Sequence, residues 1–152
     1  MPVCKPGDLV RLLAPGSRLI GLDFGSKTIG VAISDAALRV AAPVTTIRRR
    51  KFSADAEELI KIAESRGVGG FVVGLPLNMD GTEGPRCQST RDLTDELLLR
   101  HNLPTIFQDE RMSSQAVERA MIGDADMSRR KRAEAIDAAA AAYILQAALD
   151  SL

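Results

Sequence analysis

Apolar residues crowd three β-branched stretches early in the chain: RLIGLDFG (18–25), TIGVAISD (28–35) and VAAPVTTI (40–47). Short breaks at Ser26-Lys27 and Ala36-Ala37 separate them, a pattern that predicts three consecutive antiparallel strands. The rhythm then turns helical. Leu59, Ile60, Ile62 and Ala63 recur between Ser53, a residue type suited to an N-cap, and Gly67, a C-terminal stop. GGFVVGLP (69–76) is a short apolar run bounded by glycine and proline, as in a buried parallel strand. The polar loop LNMDGTEG (77–84) leads to a second helix from about Pro85 to His101, with Leu97-Leu98-Leu99 as its inner stripe and Pro104 closing it. PTIFQDER (104–111) reads as a fifth strand. A helix from Ser113 or Ser114 to Gly123 and a final one from about Ser128 to Leu149 complete the pattern. Hairpin-linked strands followed by alternating helices and strands imply an α/β fold, with one mixed five-stranded sheet carrying helices on both faces. Residues 1–17 show prolines and glycines without a period and read as an N-terminal extension, leaving 18–152 as the domain.

Composition narrows the class. A chain of 152 residues with 45% apolar side chains builds one self-sufficient core. Its longest uncharged apolar run, Ala138 to Leu145, falls far short of the roughly 20 residues of a membrane span, and the first residues lack a signal-peptide core. A cytoplasmic protein is expected. Cys4, Cys87 and the single His101 have no spacing suited to a zinc site or a disulfide framework, and His101 reads as a helix-end residue rather than a general base. Basic and acidic residues balance at 20 each, so affinity for nucleic acid has to come from local clusters. Arg48-Arg49-Arg50-Lys51 and Arg129-Arg130-Lys131-Arg132 are the candidates, against the alternative that each is a solvated element end.

The candidate chemistry lies in three separated acids. Asp23 interrupts the most apolar strand, where an ionised carboxylate is costly without a partner or a cation. The two-residue period puts Gly21 and Gly25 on its own face, leaving room beside the carboxylate; the alternative is a turn aspartate at a strand end. Asp109 and Glu110 close the fifth strand, and alternation does not say which of them faces Asp23 and which pairs with Arg111. Asp137 lies early in the last helix with Ala140, Ala141 and Ile144 on its side, so it is expected to face inward. The small residues Ala138 to Ala142 let that helix approach the sheet closely. Carboxylates converging from three elements suit a hard cation, Mg²⁺ or Mn²⁺, and the hydrolysis of phosphodiesters.

GLDFGSKTIGVAISD, VVGLPLNMDGTEGPR, DERMSS and AIDAAAAAYILQAALD, in this order, resemble the motifs of the YqgF/RuvX family, described as Holliday junction resolvases and as pre-16S rRNA processing nucleases. The resemblance covers about residues 18 to 150. It implies an RNase H-like fold, a divalent-metal-dependent nuclease, and Asp23, Glu110 and Asp137 as catalytic and metal-holding residues, favouring Glu110 over Asp109. It also implies nucleic-acid contacts at Lys27, Asn78, Arg86 and Arg111, with Asp80, Gly81 and Gly84 in a loop whose backbone N–H groups meet phosphates. Thr28 and Met112 are small departures from the family pattern. The implied partners are precursor rRNA, processed at the 5′ end of 16S, or branched DNA, for which symmetric cutting calls for a homodimer.

Two other functions compete. DFGSKTIG looks like the phosphate turn of actin-like ATPases and sugar kinases, but those close two such domains around a nucleotide and this chain has room for one. A non-catalytic nucleic-acid-binding factor is the other, opposed by the cost of inward carboxylates that no cation neutralises.

Overall fold

The computed structural model describes residues 3–111 and 129–152. Its sheet has five strands in the order β3-β2-β1-β4-β5. These are β1 (Arg18–Phe24), β2 (Thr28–Ser34), β3 (Ala41–Arg48), β4 (Val68–Leu75) and β5 (Thr105–Asp109). β1, β2 and β3 pair antiparallel in sequence, and β4 and β5 extend the sheet in parallel from the other side of β1. The helices are α1 (Pro6–Leu12), α2 (Phe52–Ser65), α3 (Pro85–Arg100) and α4 (Arg129–Asp150).

Alternation along β1 sorts the two faces. Ile20, Leu22 and Phe24 join Ile29, Val31, Phe71 and Val73 in a core covered by Ala56 and Leu59 of α2 and Leu97 and Leu98 of α3. Leu19 joins Ala32, Val72 and Ile106 on the opposite face, beneath Ala141, Ile144 and Leu145 of α4. Gly21 and Asp23 share that second face by the two-residue period. A Cβ at Gly21 would stand 2.9 Å from the Ala141 carbonyl oxygen, so β1 admits α4 because this position carries no side chain.

Several expectations change. Residues 3–17 of the expected extension pack onto the domain: Val3 pairs with Thr105, the Cys4 N–H donates to the Thr105 carbonyl at 2.8 Å, and Leu9 of α1 is fully buried in the α4-side core. A helix of barely two turns between proline and glycine leaves too few repeats for a period to show. Ser53 does not cap α2, which starts one residue earlier. Phe52 packs against Phe24 with the rings tilted and their centroids 6.2 Å apart, and the Lys51 carbonyl already accepts the N–H groups of Ala54 and Asp55. Leu99 is 88% exposed, because successive helical residues are about 100° apart and only Leu97 and Leu98 can face the sheet. The predicted helix from Ser113 or Ser114 to Gly123 lies outside the described residues.

Candidate functional site

Asp23 stands near the C-terminal end of β1, and both neighbouring strands present glycine beside it. On β2 its register partner is Gly30. On β4, Gly74 is one step beyond the Leu22↔Val73 pair. These two bare positions are where the other acids arrive. Glu110 follows β5 and lies above Gly74, where a Cβ would stand 3.0 Å from its Oε2, so the carboxyl group crosses the strand between β5 and β1. Asp137 arrives on α4 above Gly30, where a Cβ would lie only 2.1 Å from the Asp137 carbonyl oxygen. Any side chain at position 30 would push this turn of the helix off the sheet.

Glu110 and Asp23 share a hydrogen bond, and each has its carboxyl pushed above the usual carboxylate range. For Asp23 the main cause is burial, with the Asp137 charge adding to it; the bond to Glu110 and the Arg86 charge oppose it. For Glu110, burial comes first and the bond and charge of Asp23 follow, together raising it to about 9. At neutral pH the pair therefore retains one proton, which joins the two carboxyl groups as a hydrogen bond. Asp109, its chain neighbour, behaves in the opposite way. It accepts from the Arg111 guanidinium at 2.8 Å and is held below the ordinary range by that bond. The ambiguity at the end of β5 is thus resolved: Glu110 faces Asp23 and Asp109 pairs with Arg111.

Asp137 faces the same cleft, and its Oδ2 accepts a hydrogen bond of 2.8 Å from the Thr28 hydroxyl. Three carboxyl groups thus share one end of the strands, arranged as a bonded pair and a third. Among the described residues no three carboxylate, histidine or cysteine side chains gather closely enough to hold a metal ion as placed. The donor set still fits a hard divalent cation. The pair's oxygens are close enough to share a proton, and a cation would relieve the same repulsion.

The cleft has a volume of about 1110 Å³ and basic walls. Lys27 and Arg48 line one side, and Arg86 and Arg111 line the other. Arg49 also borders it and donates to the Gly25 carbonyl at 2.9 Å. The first basic cluster therefore divides, since Arg50 turns away to Asp55 and Glu58. Of the second, Lys131 is exposed on the first turn of α4. Arg111 is partly committed, spanning Asp109 and the Met79 carbonyl and so tying β5 to the loop after β4. Asn78 is exposed at the cleft rim and its side chain donates to the Thr82 hydroxyl. The N–H groups of Asn78, Gly81 and Thr82 are spent inside that loop, on the Thr82 carbonyl, the Asn78 carbonyl and Asp80, so these three amides are not available to phosphates. His101 ends α3 and packs edge-on to Phe71, away from the cleft.

Sequence reasoning passed over Glu134, which borders the cleft three residues before Asp137 on the same helix. The three-residue spacing was its signal. The bare cross-strand positions Gly30 and Gly74 escaped it because pairing register is not written in one strand alone.

This architecture, a mixed sheet with acids at the end of its central strands, is the RNase H-like fold. It matches Thermus thermophilus RuvC in complex with a Holliday junction substrate at a TM-score of 0.55, over 89% of this chain and 94% of RuvC. A second structure of the same RuvC gives 0.52 over 88% and 95%. At 11% and 13% identity the likeness is one of fold. The chain belongs to the RuvX family, described as Holliday junction resolvase, which matches residues 17–151. A relative from Rhodospirillum rubrum is 52% identical over all of this chain and 94% of its own length, so the first 17 residues are aligned there too. One from Phenylobacterium zucineum is 56% identical over 95% of this chain and 94% of its own. Both carry the name "Putative pre-16S rRNA nuclease". Among the described residues no helix is long and apolar enough to cross a membrane.

Proposed function

We propose that this protein is a divalent-metal-dependent nuclease that trims the 5′ end of precursor 16S rRNA, with Asp23, Glu110 and Asp137 as its catalytic acids. The observation that carries the reading is the Asp23–Glu110 pair, two half-buried carboxyl groups brought together across a bare glycine in a cleft with basic walls. Mg²⁺ or Mn²⁺ held by these acids would supply activation of water and neutralisation of the leaving oxygen. The chain's own contribution is placement. Lys27, Arg48, Arg86 and Arg111 flank the acids on two sides, so a phosphodiester backbone laid along the cleft meets cations before and after the scissile position. Asn78 adds a polar side chain at the rim. The names of the relatives favour rRNA, and the description of the family favours branched DNA as a second reading. Resolution of a four-way junction would call for a homodimer, whereas trimming of one RNA strand calls for a single site.

The test is side-by-side cleavage of precursor 16S rRNA and a synthetic four-way junction, with Mn²⁺ or Mg²⁺, by wild type and Asp23→Asn. Cleavage of the RNA that falls by orders of magnitude in the variant, while the protein stays folded, supports the proposal. A folded and fully active Asp23→Asn protein defeats the mechanism, and preferential cutting of the junction defeats the substrate assignment.

A further inference from the structure

We propose that Thr28 is a positioning residue whose hydroxyl aims the Asp137 carboxylate into the cleft, so that the cation affinity of the site depends on a side chain that never touches the ion. The inference rests on the reading of Asp137 as a cation-holding acid. Its basis is the way β2 and β3 grip one turn of α4. Gly30 allows the Asp137 backbone to come down onto β2, closer than any side chain would permit. The Thr46 hydroxyl on β3 donates to the Glu134 carbonyl, fixing the same turn from its outer side. These contacts set where the helix lies and leave the Asp137 side chain free to rotate about its own bonds. The Thr28 hydroxyl removes that freedom by donating to Oδ2 at 2.8 Å, and among the described residues no hydrogen bond is made to Oδ1.

Thr28 is itself held in place. It ends the turn between β1 and β2, where the Gly25 N–H donates to the Thr28 carbonyl at 2.8 Å. Arg49 clamps this turn twice, its N–H on the Lys27 carbonyl at 2.9 Å and its guanidinium on the Gly25 carbonyl at 2.9 Å. The next residue, Arg50, donates its N–H to the fully buried Asp55 carboxylate at the start of α2. A β-branched side chain on a backbone held in this way has few rotamers to lose when its hydroxyl orients a carboxylate. Groups that orient metal ligands typically change affinity or activity 10- to 100-fold when removed.

The experiment is calorimetric titration of the metal-free protein with Mn²⁺, alongside its melting temperature, for wild type, Thr28→Val, Thr28→Ser and Asp137→Asn. Valine keeps the β-branched shape and removes the hydroxyl; serine keeps the hydroxyl. The expected result is an affinity at least tenfold weaker in Thr28→Val and in Asp137→Asn, with Thr28→Ser close to wild type. Affinity unchanged in Thr28→Val, or lost equally in valine and serine, overturns the role of Thr28 while leaving Asp137 as a cation-holding acid if Asp137→Asn still weakens binding. Unchanged affinity in Asp137→Asn, or no Mn²⁺ binding by wild type, overturns that reading and the proposal with it. A Thr28→Val protein whose melting temperature falls while its Mn²⁺ affinity holds shows a purely structural hydroxyl and also overturns it.

Discussion

Replacing Glu110 with glutamine tests the buried acid pair without any substrate. In the folded protein the Glu110 carboxyl keeps its proton up to about 9, while its ordinary value is 4.5. Below about pH 4.5 both folded and unfolded chains hold the proton, and this group adds no pH dependence. Between about 4.5 and 9 the folded state binds the proton and the unfolded state has released it, so the metal-free protein loses stability as pH rises across that window. Asp23 is shifted in the same direction and adds to the trend. One proton of difference is worth at most about 1.4 kcal/mol per pH unit, or roughly 3 kcal/mol between pH 6 and 8. Partial contact of the carboxyl with water in the cleft reduces this to about 1–2 kcal/mol, a fall in melting temperature of about 3–6 °C for a chain of this size. Glutamine is neutral at every pH and can still donate to Asp23. The variant should therefore show a flatter profile and melt above wild type at pH 8 in a chelating buffer, when both are followed by circular dichroism from pH 6 to 8. An unchanged slope, or a variant less stable than wild type at pH 8, would refute the reasoning that a buried proton joins these two acids.

Arg86→Ala should weaken nucleic-acid binding and lower the slope of log affinity against log salt by about 0.7 to 0.9, the loss of one phosphate contact, while cleavage at saturating substrate falls less; a filter-binding series at several salt concentrations measures it, and an unchanged slope removes Arg86 from the phosphate path. Gly30→Ala should cost about 1–3 kcal/mol, because the new methyl group meets the Asp137 carbonyl 2.1 Å away. Urea unfolding reads that cost, and Mn²⁺ affinity should fall with it as the helix lifts from β2.

The five strands were legible because two-residue alternation and β-branched runs are local properties: β1, β2 and β3 fall within about a residue of their expected bounds. Asp23 was legible for the same reason, as a charge where the pattern demands an apolar residue. Glu110 was not separable from Asp109, since both close a strand whose apolar residues do not alternate; their difference lies in what each meets, the half-buried Asp23 or the exposed Arg111. Thr28 had no signal at all, because its partner Asp137 is 109 positions away. Gly30 and Gly74 gave only the weak hint of glycine within a strand, and their meaning appears once β2 and β4 are known to flank β1.

The same geometry explains how a chain with balanced charge can attract a polyanion and still concentrate acids at the point of reaction. Some of its acidic charge is paired away from the cleft, Glu83 with Arg91, and Asp55 and Glu58 with Arg50. In the metal-free cleft, the proton shared by Asp23 and Glu110 reduces the negative charge facing Lys27, Arg48 and Arg86, so the walls present a more positive field than a residue count implies. On the proposed function those walls would draw phosphates at close range, within the roughly 8–10 Å over which charge acts in physiological salt. A divalent cation held by the proposed acids would compete for the oxygens that share the proton and would exchange one positive charge for two. In the proposed mechanism a bound ion would strengthen the field that holds the substrate backbone, and the backbone would offer the ion phosphate oxygens beyond those of the bonded pair and the third carboxylate. In the proposed mechanism cation and nucleic acid each raise the affinity for the other, and the site is assembled only when both are present.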